Sequence, residues 1–402
     1  MAIQKTDKRA ARRFRSLRLT VLVALLAVST ILGILHQYSK TLRPVSVDAL
    51  DPFGGIESAI TLATSGQLID KIGWSSFVLL FATILVAVLF RRVFCGKICA
   101  FGALQELFAK LGRKLFRRRF VVPSWIDRPG RYLKYVALVV IVVMTAVTGT
   151  LFIRPYDPWA AYHHIVSSEL ISGFIVGLVL LILSLIGSLF YDRFFCKYLC
   201  PMGGFLGLIN RIGLYRVKRN NDTCTHCMAC NRVCPVNVQV ESVAQVQSSE
   251  CINCNLCVAA CPVENTLYVA APWSKPVDSG AEATGRRTGR ISPTAILVVS
   301  VLVFAAVIGI TTAAGGVDWT VKSLEKNVAE KNVLVPADIK GTDTFAQVSA
   351  LSGIPKEEFV REFKLSESAF NGLIKDAAHA PGSGFETETV RDFVAARLGK
   401  TK

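Results

Sequence analysis

Eight cysteines near the middle of the chain follow one spacing twice. "CTHCMACNRVCP" and "CINCNLCVAACP" each read C-x2-C-x2-C-x3-C-P. In such a run, three cysteines in a tight loop hold three corners of an iron–sulfur cube, and the fourth reaches the neighbouring cube. The spacing therefore predicts two [4Fe–4S] clusters with crossed ligands. The first set is Cys224, Cys227, Cys230 and Cys261, and the second is Cys251, Cys254, Cys257 and Cys234. Two structural zinc sites are the alternative, although zinc usually takes paired C-x2-C knuckles without a fixed proline.

The other four cysteines form two C-x3-C pairs. "RRVFCGKICAFGALQ" carries Cys95 and Cys99, and "YDRFFCKYLCPMGGF" carries Cys196 and Cys200. Cysteines at i and i+4 lie on one face of a helix, so two adjacent helices would present four thiolates. We expect these four to hold a third [4Fe–4S] cluster, with iron bound through the cysteines as in the first two. Binding of another metal, redox-active thiols and packing of small apolar side chains are the alternatives.

Five apolar runs are long enough to be membrane spans. They are residues 17–36, 74–90, 133–153, 170–190 and 292–314. The chain is 52% hydrophobic and its mean hydropathy is +0.44, which is more apolar than soluble proteins are. No small-residue cleavage pattern follows the first run, so we expect a retained helix and not a removed signal peptide.

The net charge of +17 is distributed unevenly between these runs. Residues 1–18 carry seven Lys or Arg against one acid, and residues 91–134 carry twelve against two. The positive-inside rule then places the N-terminus and segments 91–132 and 192–291 in the cytoplasm, and segments 37–73, 154–169 and the tail after 314 outside. A basic membrane face accounts for the charge, and nucleic acid is not expected as a partner. All twelve cysteines then lie in or beside the reducing cytoplasm, which favours metal ligation over disulfides.

The membrane part of the chain repeats. "FCGKICAFGALQELFAKLG" aligns with "FCKYLCPMGGFLGLINRIG", and upstream "DPFGGIES" at 51–58 aligns with "DPWAAYHH" at 157–164. The sequence of each unit predicts a membrane helix, an outer loop and a returning membrane helix, which is followed by the Cys-x3-Cys pair. Both units cross in the same direction, which predicts a parallel repeat packed as a four-helix bundle.

The predicted fold is a mainly α membrane protein with a small inserted α+β domain. The four-helix bundle of two parallel-topology repeats and a fifth membrane helix would carry a ferredoxin-like domain and a helical C-terminal domain. The predicted segments are a basic cytoplasmic N-terminus (1–18), membrane repeats (19–110 and 111–215), a two-cluster ferredoxin-like domain (216–272), a linker (273–291), the fifth span (292–314) and an extracytoplasmic helical domain (315–402). In the last, Gly353 predicts a helix end and Ser366 a helix start. That domain would dock a partner or cover the outer face.

These motifs together resemble the NapH-like family of polytopic membrane ferredoxin-type proteins, which is related to the membrane–ferredoxin portions of NosR and CcoG. The resemblance covers residues 15–270. Cys196, Cys200 and Pro201 match the family pattern, whereas Ala100 stands where the family has a proline after Cys99. The resemblance implies quinol-linked or transmembrane electron transfer with [4Fe–4S] clusters, and it does not fix the final electron acceptor. As partners we expect redox proteins, such as a flavin protein or a reductase, in a membrane complex.

The predicted outer loops contain the ionisable groups that a quinol site needs. Quinol oxidation releases two protons, so a carboxylate or imidazole must lie beside the ring. The candidates are Asp51, Asp157, His163 and His164. The alternative role for each Asp-Pro pair is to cap a helix or start a turn. Trp159 and Tyr162 would stack on a quinone or belong to an interfacial aromatic belt.

A gap separates these loops from the predicted clusters. The hydrocarbon core is about 30 Å thick, and the sequence supplies no carrier within it. Either quinone binds deep in the bundle, or a partner subunit contributes carriers.

We therefore expect a membrane-bound iron–sulfur electron-transfer protein of the inner membrane. It would act as a quinol dehydrogenase or relay between the quinone pool and a partner reductase, with quinol as substrate. A copper-reducing assembly factor for a respiratory enzyme is one alternative, and a redox sensor or regulatory scaffold is another. The cluster motifs alone do not separate the three.

Overall fold

The structure is a computed structural model that describes residues 7–38, 51–66, 73–117, 120, 122–165, 167, 169–274, 289–315, 317, 319, 324–341, 343–378, 380, 383–385 and 387–398. The chain divides into two compact units, Met1–Trp319 and Thr320–Lys402. The first unit contains all twelve cysteines and all five apolar runs.

The first unit is mainly helical. In chain order its helices are α1 (Lys8–Tyr38), α2 (Pro52–Ser65), α3 (Gly73–Phe90), α4 (Val93–Lys97), α5 (Ala100–Phe116), α6 (Ser124–Gly130), α7 (Leu133–Thr148), α8 (Pro158–His163), α9 (Glu169–Gly173), α10 (Ile175–Phe190), α11 (Phe194–Tyr198), α12 (Pro201–Ile209), α13 (Ala229–Arg232), α14 (Leu256–Ala260) and α15 (Pro293–Ala313). A short 3-10 turn, Arg154–Tyr156, precedes α8.

Three helical stretches in the described residues are long and apolar enough to cross a membrane. They are Lys8–Tyr38, Trp125–Thr148 and Pro293–Ala313. Two further apolar helices, Trp74–Phe90 and Ile175–Phe190, are shorter. The prediction of a mainly helical membrane protein is confirmed, and each of the five predicted runs overlaps one of these helices.

Two short helices between the apolar ones pack against them. Helix α2 lies along α3, and a Cβ added to Gly55 would lie 2.5 Å from the carbonyl oxygen of Ser76. Helix α8 lies along α10, with Gly177 against the carbonyl oxygen of Asp157. In addition α2 contacts α7, and α8 contacts α1. Within the described residues of the two predicted outer loops, α2 and α8 are therefore packed helices.

A three-stranded antiparallel sheet lies in the cysteine-rich part of the first unit. Its order is β1 (Arg216–Arg219), β2 (Leu267–Ala270) and β3 (Arg290–Ile291). Val269 of β2 pairs with Val217 on one side and Ile291 on the other. Strand β3 comes from the end of the predicted linker, of which residues 275–288 lie outside the described residues. With α13 and α14, the sheet gives this region the small α+β character expected from the sequence.

The second unit is helical and has its own apolar core. Its helices are α16 (Leu324–Lys331), α17 (Phe345–Ser352), α18 (Lys356–Phe363), α19 (Glu367–Asn371), α20 (Ile374–Ala378) and α21 (Thr387–Leu398). The predicted helix end and start are confirmed. Gly353 follows α17 with a φ of 73°, and Ser366 accepts a hydrogen bond of 3.2 Å from the Ala369 N–H at the start of α19.

Candidate iron–sulfur centres

The ferredoxin-type cysteines line two cavities. The wall of the first contains Cys224, Cys227, Cys230 and Cys261, and the wall of the second contains Cys234, Cys251, Cys254 and Cys257. Each cavity encloses about 340 Å³ of empty space, part of it open to solvent. In both, three cysteines come from one run and the fourth from the other, which is the crossed arrangement that a pair of cubes requires.

Short helices position the third cysteine of each run. Helix α13 carries Cys230 and α14 carries Cys257, and each begins after a left-handed residue, Met228 (φ 59°) or Asn255 (φ 60°). The two cavities differ in exposure, because Cys227 of the first is exposed whereas Cys254 and Cys257 of the second are buried. The first cavity therefore has a cysteine that is exposed to solvent.

The thiols are not gathered around a single point. Among the described residues, no three His, Cys, Asp or Glu side chains are grouped so that they could hold one metal ion. A tetrahedral zinc site brings its thiolates around one ion, whereas a cube takes one thiolate at each corner. What favours cubes over zinc is the C-x2-C-x2-C-x3-C-P spacing of the two runs.

Each membrane cysteine pair spans a break between two helices. Cys95 lies on α4 and Cys196 on α11, whereas Cys99 and Cys200 are the N-cap residues of α5 and α12. The expectation that each pair lies on one face of a single helix is therefore wrong. The backbone leaves the helical region at the second cysteine, with ψ of 117° at Cys99 and 112° at Cys200.

The second thiol of each pair caps the following helix. The Cys99 sulfur accepts a hydrogen bond of 3.4 Å from the Gly102 N–H, and the Cys200 sulfur accepts one of 3.3 Å from the Gly203 N–H. These bonds satisfy backbone donors that a helix leaves free at its start. The same geometry forms in both repeats, so Ala100 in place of a proline does not alter it.

The two pairs belong to one site. Burial is the largest cause that raises the pKa of Cys99 and of Cys200. The negative charges of Cys196 and Cys95 raise both pKa values further. Each pair therefore lies within electrostatic reach of the other. Because the thiolate is the metal ligand, these thiols would need a bound metal or nearby cations to ionise.

Two arginines, each three residues before the first cysteine of a pair, lie beside this site. Arg92 lies against Gly203 and Arg193 against Gly102, 2.9 and 2.8 Å from where a Cβ would stand. Both side chains are 1% exposed, and the Nε of each has no hydrogen-bond partner in the described part of the chain. Buried donors without partners are costly, so they fit an anionic group held between the cysteines.

Buried positive charge exceeds buried negative charge in this region. The described cations with at most 1% exposure are Arg18, Arg91, Arg92, Lys97, Lys134, Arg193 and Lys197. The buried acids of this region are Glu106, Asp127 and Glu250, and all three are ion-paired. Because buried charge is costly when it is not compensated, the thiolates and sulfides of anionic clusters would supply the missing negative charge.

The turn that carries the first membrane pair touches the second ferredoxin cavity. A Cβ added to Gly96 would collide with the carbonyl oxygen of Ile252 and would lie 3.3 Å from the Cα of Cys254. Beside it, Lys97 donates a hydrogen bond of 2.6 Å to Asn255 Oδ1. The membrane cysteines are therefore adjacent to the second cavity. The first cavity lies next to the second, because α13 packs on α14.

The two candidate aspartates of the outer loops cap helices. Asp51 accepts a hydrogen bond of 3.1 Å from the Phe53 N–H at the start of α2. Asp157 accepts bonds of 3.0 and 3.2 Å from the N–H groups of Trp159 and Ala160 at the start of α8. Asp is a preferred N-cap residue because its carboxylate satisfies free backbone donors.

The two candidate histidines are buried at the other end of α8. His163 is 5% exposed, its ring lies 4.5 Å from that of Trp159, and its Nε2 lies 3.4 Å from the hydroxyl of Ser29. His164 is 7% exposed and stacks on Phe174 at 4.2 Å. The structure therefore brings His163 together with an indole ring, whereas His164 faces a separate aromatic residue.

An aromatic contact joins α8 to the membrane cysteines. The ring centroid of Trp159 lies 5.7 Å from that of Phe101, which comes two residues after Cys99. Phe101 belongs to a buried cluster against which Cys99, Cys200 and Tyr162 also pack. The expected gap between outer loop and cysteines is therefore absent here, because α8 and the Cys99 turn meet inside the first unit.

Two iron–sulfur family models match the chain. A 4Fe-4S binding domain matches twice, at residues 72–119 and 174–221, and a 4Fe-4S dicluster domain matches residues 216–262. The first covers both membrane cysteine pairs and the second covers both ferredoxin runs. No solved structure matches the chain.

Curated relatives match across the membrane and ferredoxin parts together. The ferredoxin-type protein NapH of Escherichia coli is 31% identical over 62% of this chain and 83% of its own length. The chain belongs to the NapH family of ferredoxin-type proteins. YccM of Escherichia coli is 29% identical over 56% of this chain and 64% of its own length, so the chain spans less than two thirds of that relative. The regulatory protein NosR of Pseudomonas aeruginosa is 29% identical over 42% of this chain and 23% of its own length.

Sequence reasoning missed several residues around the sites of this NapH-family chain. Arg92 and Arg193 precede their cysteines by the same three residues, and this shared position was the available signal. Nothing in the sequence indicated the contact between Trp159 and Phe101, because the two residues lie 58 positions apart along the chain.

Proposed function

We propose that this chain is a quinol-linked electron relay. Quinol would be oxidised beside α8, and electrons would pass through iron–sulfur clusters to a partner redox protein at the ferredoxin end. The contact between Trp159 and Phe101 carries this proposal, because it links the histidine-bearing helix to the turn of Cys99. Membership of a ferredoxin-type family and similarity to electron-transport relatives support it.

The cysteines would hold three [4Fe–4S] clusters. We assign one to the cavity at Cys227 and one to the cavity at Cys254, each with the crossed set that lines it. A third would be held by the four membrane cysteines, which is supported by the orphaned donors of Arg92 and Arg193 and by the excess of buried cations. When bound, such clusters supply one-electron carriers.

The quinol site would lie at the buried face of α8. His163 and His164 would accept protons, and Trp159 would contact the quinol ring. Asp51 and Asp157 would hold α2 and α8 in place through the caps described above. Because Cys99 and Trp159 pack against the same buried cluster, an electron leaving the ring would have a short path to the membrane cysteines.

The proposed topology follows the charge bias. Five spans in two parallel repeats and a fifth helix would cross the inner membrane, with the N-terminus and ferredoxin domain in the cytoplasm and the helical unit outside. The partners would be membrane lipid, the quinone pool and a flavin protein or reductase in a membrane complex. Such a partner would dock where Cys227 is exposed.

Quinol-driven reduction of the clusters tests the function. Anaerobically purified protein in detergent is mixed with a reduced short-chain quinol, and cluster reduction is followed by absorbance and electron paramagnetic resonance. We expect reduction by quinol as well as by dithionite. Reduction by dithionite alone, together with rapid reduction of added Cu(II) by the reduced protein, would instead favour the copper-reducing assembly factor.

A further inference from the structure

Glu57 is a fully buried carboxylate of the first outer helix, α2. It has 0% exposure, and its Oε1 accepts hydrogen bonds of 2.9 Å from the Thr145 hydroxyl and 3.1 Å from the Ile153 N–H. Its Oε2 has no hydrogen-bond partner among the described residues. The carboxylate is therefore only half satisfied.

The other buried acids of the first unit differ from Glu57 in one respect. Glu106 binds Arg18 and Arg193, Asp127 binds Arg131, and Glu250 binds Lys134 and Arg92. Within the described part of the chain, Glu57 has no such ion pair. A buried ionised group without a countercharge is expensive, and such groups are concentrated at functional sites.

Glu57 occupies the position in the first repeat that His163 occupies in the second. Each lies six residues after the aspartate that caps its helix. Glu57 accepts a hydrogen bond from Thr145 on α7, and His163 lies 3.4 Å from the hydroxyl of Ser29 on α1. In both repeats a proton-binding side chain on the outer helix therefore meets a hydroxyl on the first helix of the other repeat.

Glu57 also lies next to the second outer segment. Ile153, which donates to it, is four residues before Asp157. Asp157 begins α8, the helix with Trp159 and His163. The carboxylate is therefore placed beside the elements that would bind quinol.

We propose that Glu57 is a proton acceptor in quinol oxidation, an inference that rests on the proposed function. Quinol loses two electrons and two protons and becomes quinone. One proton would pass to the Glu57 carboxylate and the other to an imidazole at the end of α8, that of His163 or of His164. The two electrons would pass to two oxidised iron–sulfur clusters, each gaining one.

The surroundings of Glu57 suit this role. The pKa of Glu57 is raised to about 7, mainly by burial, although the hydrogen bonds from Ile153 and Thr145 lower it. The negative charge of Asp157 also contributes to the raised pKa. Among the elements packed against α2, α7 presents the Thr145 hydroxyl to Glu57, and the contact with α3 involves the backbone of Ser76. The charged group that acts on the Glu57 carboxylate is therefore Asp157. A pKa near the working pH is the best compromise for a group that must accept a proton.

The test compares Glu57→Gln with Ser58→Ala, a neighbouring buried position as the matched control. The rate of cluster reduction by a short-chain quinol is measured across neutral pH. We expect the wild-type and Ser58→Ala rates to rise with pH as Glu57 loses its proton. The Glu57→Gln rate should be lower by about 10²-fold or more, because positioned acid–base groups contribute about 10²–10⁴-fold. Dithionite should reduce all three proteins equally.

The outcomes separate this inference from the proposed function. Wild-type protein that quinol does not reduce would overturn both. Quinol reduction with the same rate and pH profile in Glu57→Gln would overturn the role of Glu57 alone. If the Glu57→Gln protein does not accumulate, Thr145→Val gives a second measurement. Loss of that hydrogen bond raises the pKa of Glu57, so the rate profile should move to higher pH, and an unmoved profile would contradict the proposal.

Discussion

The rings of Trp159 and Phe101 lie 5.7 Å apart and connect two segments that the sequence assigns to different ends of the membrane helices. Trp159 follows the Asp-Pro pair of α8, and Phe101 follows Cys99. Because α8 packs back along α10 and the Cys99 turn reaches the same buried cluster, the quinol site proposed beside α8 would need no added carrier to reach the membrane cysteines.

The first prediction concerns the iron content. Anaerobically purified protein should contain about twelve irons per chain, four for each cube, and Cys99→Ser and Cys200→Ser should each lower this to about eight. Ser300→Ala is the control, because it removes a buried hydroxyl that donates to the Leu297 carbonyl oxygen within α15, and it should keep the full iron content. A wild-type content of about eight that neither cysteine substitution changes would leave only the two ferredoxin clusters.

The second prediction concerns the two buried arginines beside the membrane cysteines. Reduction adds negative charge to a cluster, and a nearby cation favours it. Arg92→Gln and Arg193→Gln should therefore each make the midpoint potential of one cluster more negative, as measured by a redox titration with paramagnetic resonance. Arg12→Gln, at an exposed position of α1, is the control and should leave all potentials unchanged. Equal potentials in all four proteins would show that the arginines do not act on a cluster.

The third prediction concerns the contact between Gly96 and Ile252. A methyl group at Gly96 would collide with backbone, so Gly96→Ala should force the turn and the second cavity apart at a cost of about 1–3 kcal/mol. We expect quinol to reduce fewer clusters in this variant although its iron content is kept. Gly173→Ala adds a methyl group where no atom lies within 4 Å, and it should behave as wild type. Equal reduction in both variants would mean that electrons do not cross at this contact.

The fourth prediction concerns topology. A reporter fused after Lys402 should be active outside the cytoplasm, and one fused near Ser279 should be active inside. The reason is the charge asymmetry combined with an odd number of spans. Activity of the Lys402 fusion in the cytoplasm would mean that one of the shorter apolar helices, Trp74–Phe90 or Ile175–Phe190, does not cross.

The sequence alone was enough for features that depend on spacing along the chain. The two runs of four cysteines predicted crossed sets, and the two cavities contain those sets, because a loop of fixed length limits which thiols can meet. The positions of the apolar helices and the caps at Gly353 and Ser366 also followed from local patterns. The assignment to a ferredoxin-type membrane family depended on these same motifs.

Other features were decided by tertiary packing. The i, i+4 spacing of Cys95 and Cys99 suggested one helix, but capping by the Cys99 thiol breaks the helix between them. The Asp-Pro pairs predicted either proton acceptors of a quinol site or helix caps, and in the structure Asp51 and Asp157 both cap helices. Glu57 is the buried carboxylate without an ion pair in the described chain. Burial and charge pairing depend on which elements meet in space, so a pattern along one chain does not reveal them.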